Sequence, residues 1–124
     1  MERLIKPYGN NFTDFYAALD KGVQNKFVYV FKLIQSLEII PNRFFKHVEG
    51  SDGLFEIRVE FESNIYRVFC FFDDGNVIIL INSFQKKSQK TPVRELALAK
   101  KLKLQYFIDK KIDFENESRK KIKK

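Results

Sequence analysis

The stretch from Leu54 to Glu62 constrains the fold more than any other part of the sequence. Its apolar residues alternate with charged ones, a period of two that is typical of a β-strand with one buried and one polar face. These apolar residues are Phe55, Ile57, Val59 and Phe61. Turn signals at Ser63–Asn64 and at Asp74–Gly75 bound two further apolar runs, over residues 65–72 and 76–84. The sequence therefore predicts a three-stranded antiparallel meander.

Helical and strand patterns flank this meander on both sides. Short strands are expected at residues 3–8 and 44–48, and Pro7 restricts the first to a sheet edge. Residues 11–19 and 23–37 carry apolar side chains three and four positions apart, which predicts two helices. Thr91 and Pro92 form a good helix start, as N-cap and first helical residue. The order predicts an α+β domain with N-terminal helices packed on one face of an antiparallel sheet and a C-terminal helix.

Length and composition exclude several classes of protein. The 124 residues fit one domain, and fourteen Phe and five Tyr exclude a disordered chain. One cysteine and one histidine exclude an internal disulfide and the usual zinc-finger patterns. The longest apolar runs fall far short of the ~20 residues of a membrane span, and the first residues do not form a secretory signal. A cytoplasmic domain over residues 1–108 is expected, followed by a charged, frayed or disordered tail over 109–124.

The positive charge of the chain is concentrated in its last third. Residues 85–124 hold fourteen Lys and Arg against five Asp and Glu, a net charge of +9. Residues 1–84 hold nine Lys and Arg against eleven Asp and Glu, a net charge of −2. A localised basic field is typical of a polyanion partner such as nucleic acid. Solvated helix faces, or an acidic protein partner, would give the same distribution.

The register that two-residue turns impose groups polar residues on one face of the meander. Glu60 then pairs with Arg67, and Arg67 pairs with Asn82, while Glu56 and Arg58 share their face. The opposite face carries Val59, Val68 and Ile81. Two arginines on rigid strands beside a lysine-rich segment indicate a phosphate site, because a guanidinium fork matches two phosphate oxygens. The alternative is that both arginines only pair with neighbouring glutamates on a solvated face.

Four sequence blocks occur in an order that points to a known family. They are Lys-His-Val-Glu-Gly at 46–50, Gly-Leu-Phe-Glu-Ile-Arg-Val at 53–59, Ile-Tyr-Arg-Val-Phe at 65–69, and the segment 82–92. This series resembles the RelE/ParE toxin superfamily, and most of all its HigB-like, phage-derived branch. The resemblance implies a RelE-type α+β fold and a ribosome-dependent mRNA endonuclease of a type II toxin–antitoxin module. It also implies a cognate helix-turn-helix antitoxin, with no cofactor, metal ion or membrane partner.

The resemblance also implies roles for individual residues. Arg67 matches the strand arginine that acts on the scissile phosphate, and Arg58 matches a basic residue on the preceding strand. The basic segment after the last strand matches Lys86, Lys87 and Lys90. The chain departs from the family in three places: Glu56 stands where RelE has a lysine, no tyrosine stands near residues 91–92, and Asn82 stands where HigB-like relatives often have histidine.

Cleavage by the 2′-hydroxyl needs a base, a stabiliser of phosphorane charge and an acid for the leaving oxygen. Arg67 and Arg58 are the expected stabilisers, and Lys86 or Lys87 is expected to hold phosphate or act as acid. The candidate bases are Glu56 and His47. Candidate RNA contacts are Lys86, Lys90, Asn82 and the base-stacking aromatics Phe84 and Phe69.

Two other functions remain open at the level of sequence. ParE relatives share the fold and bind gyrase instead of cutting RNA, because fold does not determine activity. A degenerate toxin retained as a partner of its antitoxin is the third alternative. Message cleavage that depends on translation favours the first function, whereas DNA damage without such cleavage favours the second.

Overall fold

A computed structural model describes residues 2–88, 90 and 92–122. Its elements along the chain are β1 (Leu4–Pro7), α1 (Asn11–Ala17), α2 (Lys21–Ser36), β2 (Phe45–His47), β3 (Phe55–Phe61), β4 (Asn64–Asp73), β5 (Val77–Lys86) and α3 (Val93–Ile122). Thr91, the expected N-cap of the last helix, lies outside the described residues, and α3 begins directly after Pro92. Across the described residues, no helix is both long enough and apolar enough to span a membrane.

The strands form one five-stranded sheet in the order β1-β5-β4-β3-β2. The predicted antiparallel meander is present as β3, β4 and β5, and β2 adds an antiparallel edge strand. The strand that contains Pro7 is the opposite edge, as expected, but it runs parallel to β5. The sheet is therefore mixed, and the α+β class is confirmed.

The hairpin between β3 and β4 turns one residue earlier than predicted. Its two turn residues are Glu62 and Ser63, with φ angles of 48° and 68°, the pair of positive values that a type I′ turn requires. As a result Arg58, not Glu60, lies opposite Arg67. The register differs from the predicted one by two positions, so each side chain of β3 and β4 keeps its predicted face.

An irregularity in β5 changes the second pairing as well. Arg67 pairs with Phe84 instead of Asn82, and the register shifts between Val68 and Cys70. Phe69 there faces two residues of β5, Ile81 and Asn82, which is the pattern of a β-bulge. The turn between β4 and β5 contains three residues, 74–76, instead of the predicted two, because Asp73 pairs with Val77. The extra residue turns Ile81 to the same face as Phe69, so its predicted grouping with Val59 and Val68 is wrong.

Both faces of the sheet are covered, whereas the sequence pattern predicted helices on one face. The helices α1 and α2 cover the first face, where Phe27 and Ile34 pack on Val59 and Val68. The predicted small buried thiol of Cys70 lies in the same cluster, and burial raises its pKa. The helix α3 covers part of the second face through its predicted apolar side, which consists of Leu96, Ala99, Leu102 and Tyr106. The second layer forms because β4 and β5 are apolar on both faces.

Polar contacts hold the middle of α3 against the far end of the sheet. Tyr106 donates a 2.5 Å hydrogen bond to Asp73, and Lys110 donates to Asp73 at 2.6 Å and to Asp74 at 2.9 Å. Tyr8 donates to Asp109, and this bond raises the pKa of Tyr8 to about 12. The segment 109–122, which was expected to be a frayed or disordered tail, continues α3.

We expect Asp73→Asn to weaken this attachment in a pH-dependent way. Burial opposes ionisation of Asp73, but the bonds from Lys110 and Tyr106 outweigh it, so its pKa lies below its ordinary value. Such a carboxylate stabilises the fold above the unfolded-state pKa, about 3.9, and this contribution is lost as pH falls through the folded-state pKa. Urea unfolding should show a loss of about 1–3 kcal/mol at neutral pH, and this loss should shrink as the pH falls below about 4. Asp74→Asn, at a residue whose side chain is 86% exposed, should change stability by less than ~0.5 kcal/mol.

Candidate active site

The centre of the candidate site is the pair of arginines that β3 and β4 place side by side. Arg58 and Arg67 are direct register partners, on the sheet face to which α3 also packs. Lys46 on β2 lies opposite Glu56 and therefore joins the same face. These side chains line a cleft of about 370 Å³, which we call the arginine cleft; its lining consists of Asn42, Arg43, Lys46, Glu56, Arg58 and Arg67.

The two arginines differ in their partners. Arg67 forms an ion pair with Glu56, and their side chains are only 13% and 11% exposed. Arg58 lies 3.7 Å from Glu60 at a more open position. Within the described part of the chain, the Nε donor of each arginine is buried and has no hydrogen-bond acceptor. Buried donors without acceptors are rare in folded proteins, so both guanidinium groups have unmet hydrogen-bonding capacity.

Lys86 lies near the two arginines, on the side of β5. It is the last residue of β5 and pairs with Ile65, two positions before Arg67. Partial burial, and then the positive charge of Arg67, lower the pKa of Lys86, and Arg58 and Lys46 act in the same direction. A lysine with a lowered pKa gives up its proton more readily, as a general acid at neutral pH must.

The lysines that follow β5 extend the positive charge beyond the cleft. A separate cavity of about 350 Å³ is lined by Lys86 and Lys87, together with Ile65 and Ser88. Lys90 is exposed, and its carbonyl oxygen accepts a hydrogen bond from Ser88. Of the predicted lysine segment, Lys86 thus lies near the predicted arginines.

Other predicted site residues lie elsewhere. His47 pairs with Phe55 and shares the face of Cys70, on the opposite side of the sheet from Arg67, so the structure does not bring this candidate base to the cleft. Asn82 is buried and donates to the backbone and side-chain oxygens of Glu95 in α3.

The predicted stacking aromatics are part of the core. Phe69 is fully buried, and Phe84 is nearly so, with their ring centroids 5.5 Å apart. Neither ring is free to stack on a base, because α3 and the bulged strand cover this part of the sheet.

Sequence reasoning missed the contribution of β2 to the cleft. Lys46 belongs to the segment 44–48, which was expected to be a strand, and Arg43 directly precedes it; the register of this strand could not be derived. The connection from β2 to β3 spans Val48–Leu54 and lacks the two-residue turn that would fix the pairing. The alternation of Phe45 and His47 with Lys46 was the available signal.

The fold and the cleft define a small α+β protein with an arginine-rich cleft on one face of its sheet. The family model for phage-derived Gp49-like proteins matches residues 14–103, and the chain therefore belongs to that family. The family resemblance seen in the sequence blocks is thereby confirmed. A comparison with curated proteins finds no match.

Two solved structures are similar to this chain. The toxin RelE of E. coli in the free state, determined as a double Arg-to-Ala mutant, is 13% identical, with 67% of this chain and 82% of that chain covered and a TM-score of 0.51. The RelE–RelB complex from Pyrococcus horikoshii OT3 is 18% identical, with 67% and 93% covered and a TM-score of 0.47. At its level of identity, the likeness to the first shows a shared fold, and the RelE-like fold is confirmed.

Proposed function

We propose that this protein is the toxin of a type II toxin–antitoxin module and a ribosome-dependent mRNA endonuclease. The observation that carries the proposal is the register pairing of Arg58 with Arg67 in a basic cleft, each with a buried, unpartnered Nε donor. Two neighbouring guanidinium groups offer donors to the non-bridging oxygens of one phosphate, because the guanidinium plane is matched to an oxyanion. The charge around them favours RNA over a neutral ligand.

The cleft can supply each group that attack by the 2′-hydroxyl requires. Arg67 and Arg58 stabilise the charge that builds up on the phosphorane. Glu56 lies beside Arg67, so a phosphate that takes over this arginine releases the carboxylate next to the attacking hydroxyl, where it acts as general base. Lys86 protonates the leaving 5′-oxygen, consistent with its lowered pKa. The scheme uses side chains alone and needs no cofactor.

The lysines after β5 and the basic surface of α3 would hold the remaining phosphates and the ribosome. Phosphate contacts of Lys87 and Lys90 would position the message without reading its sequence. The net charge of +9 over residues 85–124 also suits an antitoxin whose acidic surface neutralises it. A cognate helix-turn-helix antitoxin is therefore part of the proposal, and the site of action is the cytoplasm, where ribosomes and messages meet.

The proposal is tested by inducing the protein in bacteria and mapping message ends by primer extension. We expect new cuts inside reading frames, and we expect them to disappear when initiation is blocked, because the message has to reach the enzyme on a translating ribosome. Induction of the Arg67→Ala variant controls for effects of expression. Induced DNA damage without cuts would favour gyrase binding, and growth arrest without either would contradict the nuclease assignment.

A further inference from the structure

A second cavity adjoins the arginine cleft on the side of α2. It has a volume of about 180 Å³ and is lined by Lys26, Tyr29, Arg43, Phe44, Arg58 and Glu60. Arg43 and Arg58 line both spaces, so the second cavity, which we call the α2 cavity, continues the arginine cleft across β3 toward α2. A ligand held at Arg67 could therefore extend into it without leaving the protein surface.

The α2 cavity combines aromatic rings with cationic groups. The Lys26 ammonium lies 5.1 Å from the ring centroid of Tyr29, and the Arg43 guanidinium lies 4.7 Å from that of Phe44. Among the lining side chains, three are cationic and one, Glu60, is anionic. Aromatic rings and arginine planes are the surfaces on which proteins stack unpaired RNA bases.

Tyr29 is not used by the hydrophobic core. The core side of α2 consists of Val23, Phe27, Val30 and Ile34, while Tyr29 lies outside that stripe and is 52% exposed. A large ring held by a lysine at the rim of a basic cavity is a common form of contact for nucleic acid. A position that only faces solvent does not need a large aromatic ring such as that of Tyr29, because a small polar residue would serve there equally well.

We propose that the α2 cavity binds the base of the nucleotide next to the scissile phosphate, stacked on the ring of Tyr29. The inference rests on the proposed function, because it takes the phosphate at Arg58 and Arg67 as the origin of the RNA path. Arg58 joins the two spaces and contacts the phosphate that links the two nucleotides. Single-stranded RNA is the occupant that fits best, since stacking surfaces and phosphate donors alternate along one continuous groove.

The test is the binding of a fluorescein-labelled 2′-O-methyl hexanucleotide, which lacks the attacking hydroxyl and cannot be cleaved by this route. We expect Tyr29→Ala to weaken binding about 5- to 100-fold, the range found for loss of one base–aromatic stack. Tyr29→Phe keeps the ring and should bind like the wild type. Val28→Ala is the matched control, because Val28 is the preceding residue of α2, is 41% exposed and does not line the cavity.

A second oligonucleotide, with an abasic residue at one internal position, separates stacking from charge. When the abasic position is the one next to the phosphate bound at Arg67, the loss caused by Tyr29→Ala should disappear, since no base remains to stack. Equal binding of both oligonucleotides by the wild type at every abasic position would overturn the inference.

The outcomes also distinguish this inference from the proposed function. If Tyr29→Ala binds RNA like the wild type while Arg67→Ala loses binding, the α2 cavity is not a base site and the phosphate site stands. If Tyr29→Ala weakens binding of an acidic peptide but not of RNA, the cavity is a protein-docking site and the inference fails. If the wild type neither binds the oligonucleotide nor cuts messages on ribosomes, the proposed function itself fails.

Discussion

Replacing Arg67 by alanine is expected to lower the rate of message cleavage by about 100-fold or more, the cost of removing one preorganised donor from an oxyanion site. The measurement is single-turnover cleavage of a message on purified translating ribosomes. The same variant should also be less stable, because it leaves the nearly buried carboxylate of Glu56 without its partner. Urea unfolding should show a loss of about 1–3 kcal/mol. Replacement of an exposed strand arginine would cost almost no stability.

Two further variants separate catalysis from stability in this prediction. Arg67→Lys keeps a positive charge beside Glu56 and should preserve the fold, yet it lacks the guanidinium fork and should remain impaired in cleavage. Lys32→Ala removes an exposed cation of α2 that lines neither the arginine cleft nor the α2 cavity, and it should change neither property. Normal cleavage by a folded Arg67→Ala protein would refute the phosphate assignment.

Glu56→Gln is expected to lower single-turnover cleavage by about 10²- to 10⁴-fold, the usual contribution of a positioned general base. Glutamine retains an oxygen that accepts a hydrogen bond from Arg67, so the fold should persist. Binding to ribosomes should be unchanged or stronger, because a negative charge has been removed from a site for phosphate.

The matched control is Glu62→Gln, at an exposed turn residue between β3 and β4. It removes the same charge from the surface and should leave cleavage at the wild-type rate. Cleavage by Glu56→Gln at or above the wild-type rate would mean that Glu56 only holds Arg67 in the free protein and that another group is the base.

Much of the fold followed from local patterns in the sequence. The alternation in β3 and the apolar stripes of α2 and α3 each depend on neighbouring residues, and each is present in the structure. Two features could not be derived from such local patterns: the parallel pairing of β1 with β5, and the coverage of the second face of the sheet by α3. They depend on contacts between distant segments, which no local period encodes.

The sequence predicted which face of the sheet carries the site residues, but it did not predict which residues pair across the strands. The parity of the strands placed Arg58, Arg67 and Glu56 together, and an even shift preserved this grouping. The three-residue turn before β5 and the bulge at Ile81 and Asn82 changed the pairing of β5 with β4. Asn82 therefore contacts α3 instead of lining the cleft. A bulge is set by packing between layers, and the sequence carries no turn signal for it.

The parallel pairing of β1 with β5 has a consequence for the order of folding. The two partners lie roughly 70 residues apart along the chain, and closing so long a loop is slow and entropically costly. The antiparallel hairpins involve short loops, so we expect them to form first and β1 to dock last. During synthesis the first strand leaves the ribosome long before its neighbour exists. Because β5 ends at Lys86, which lies near Arg67 and Arg58, the growing chain adds this lysine and completes the last strand of the sheet at the same moment.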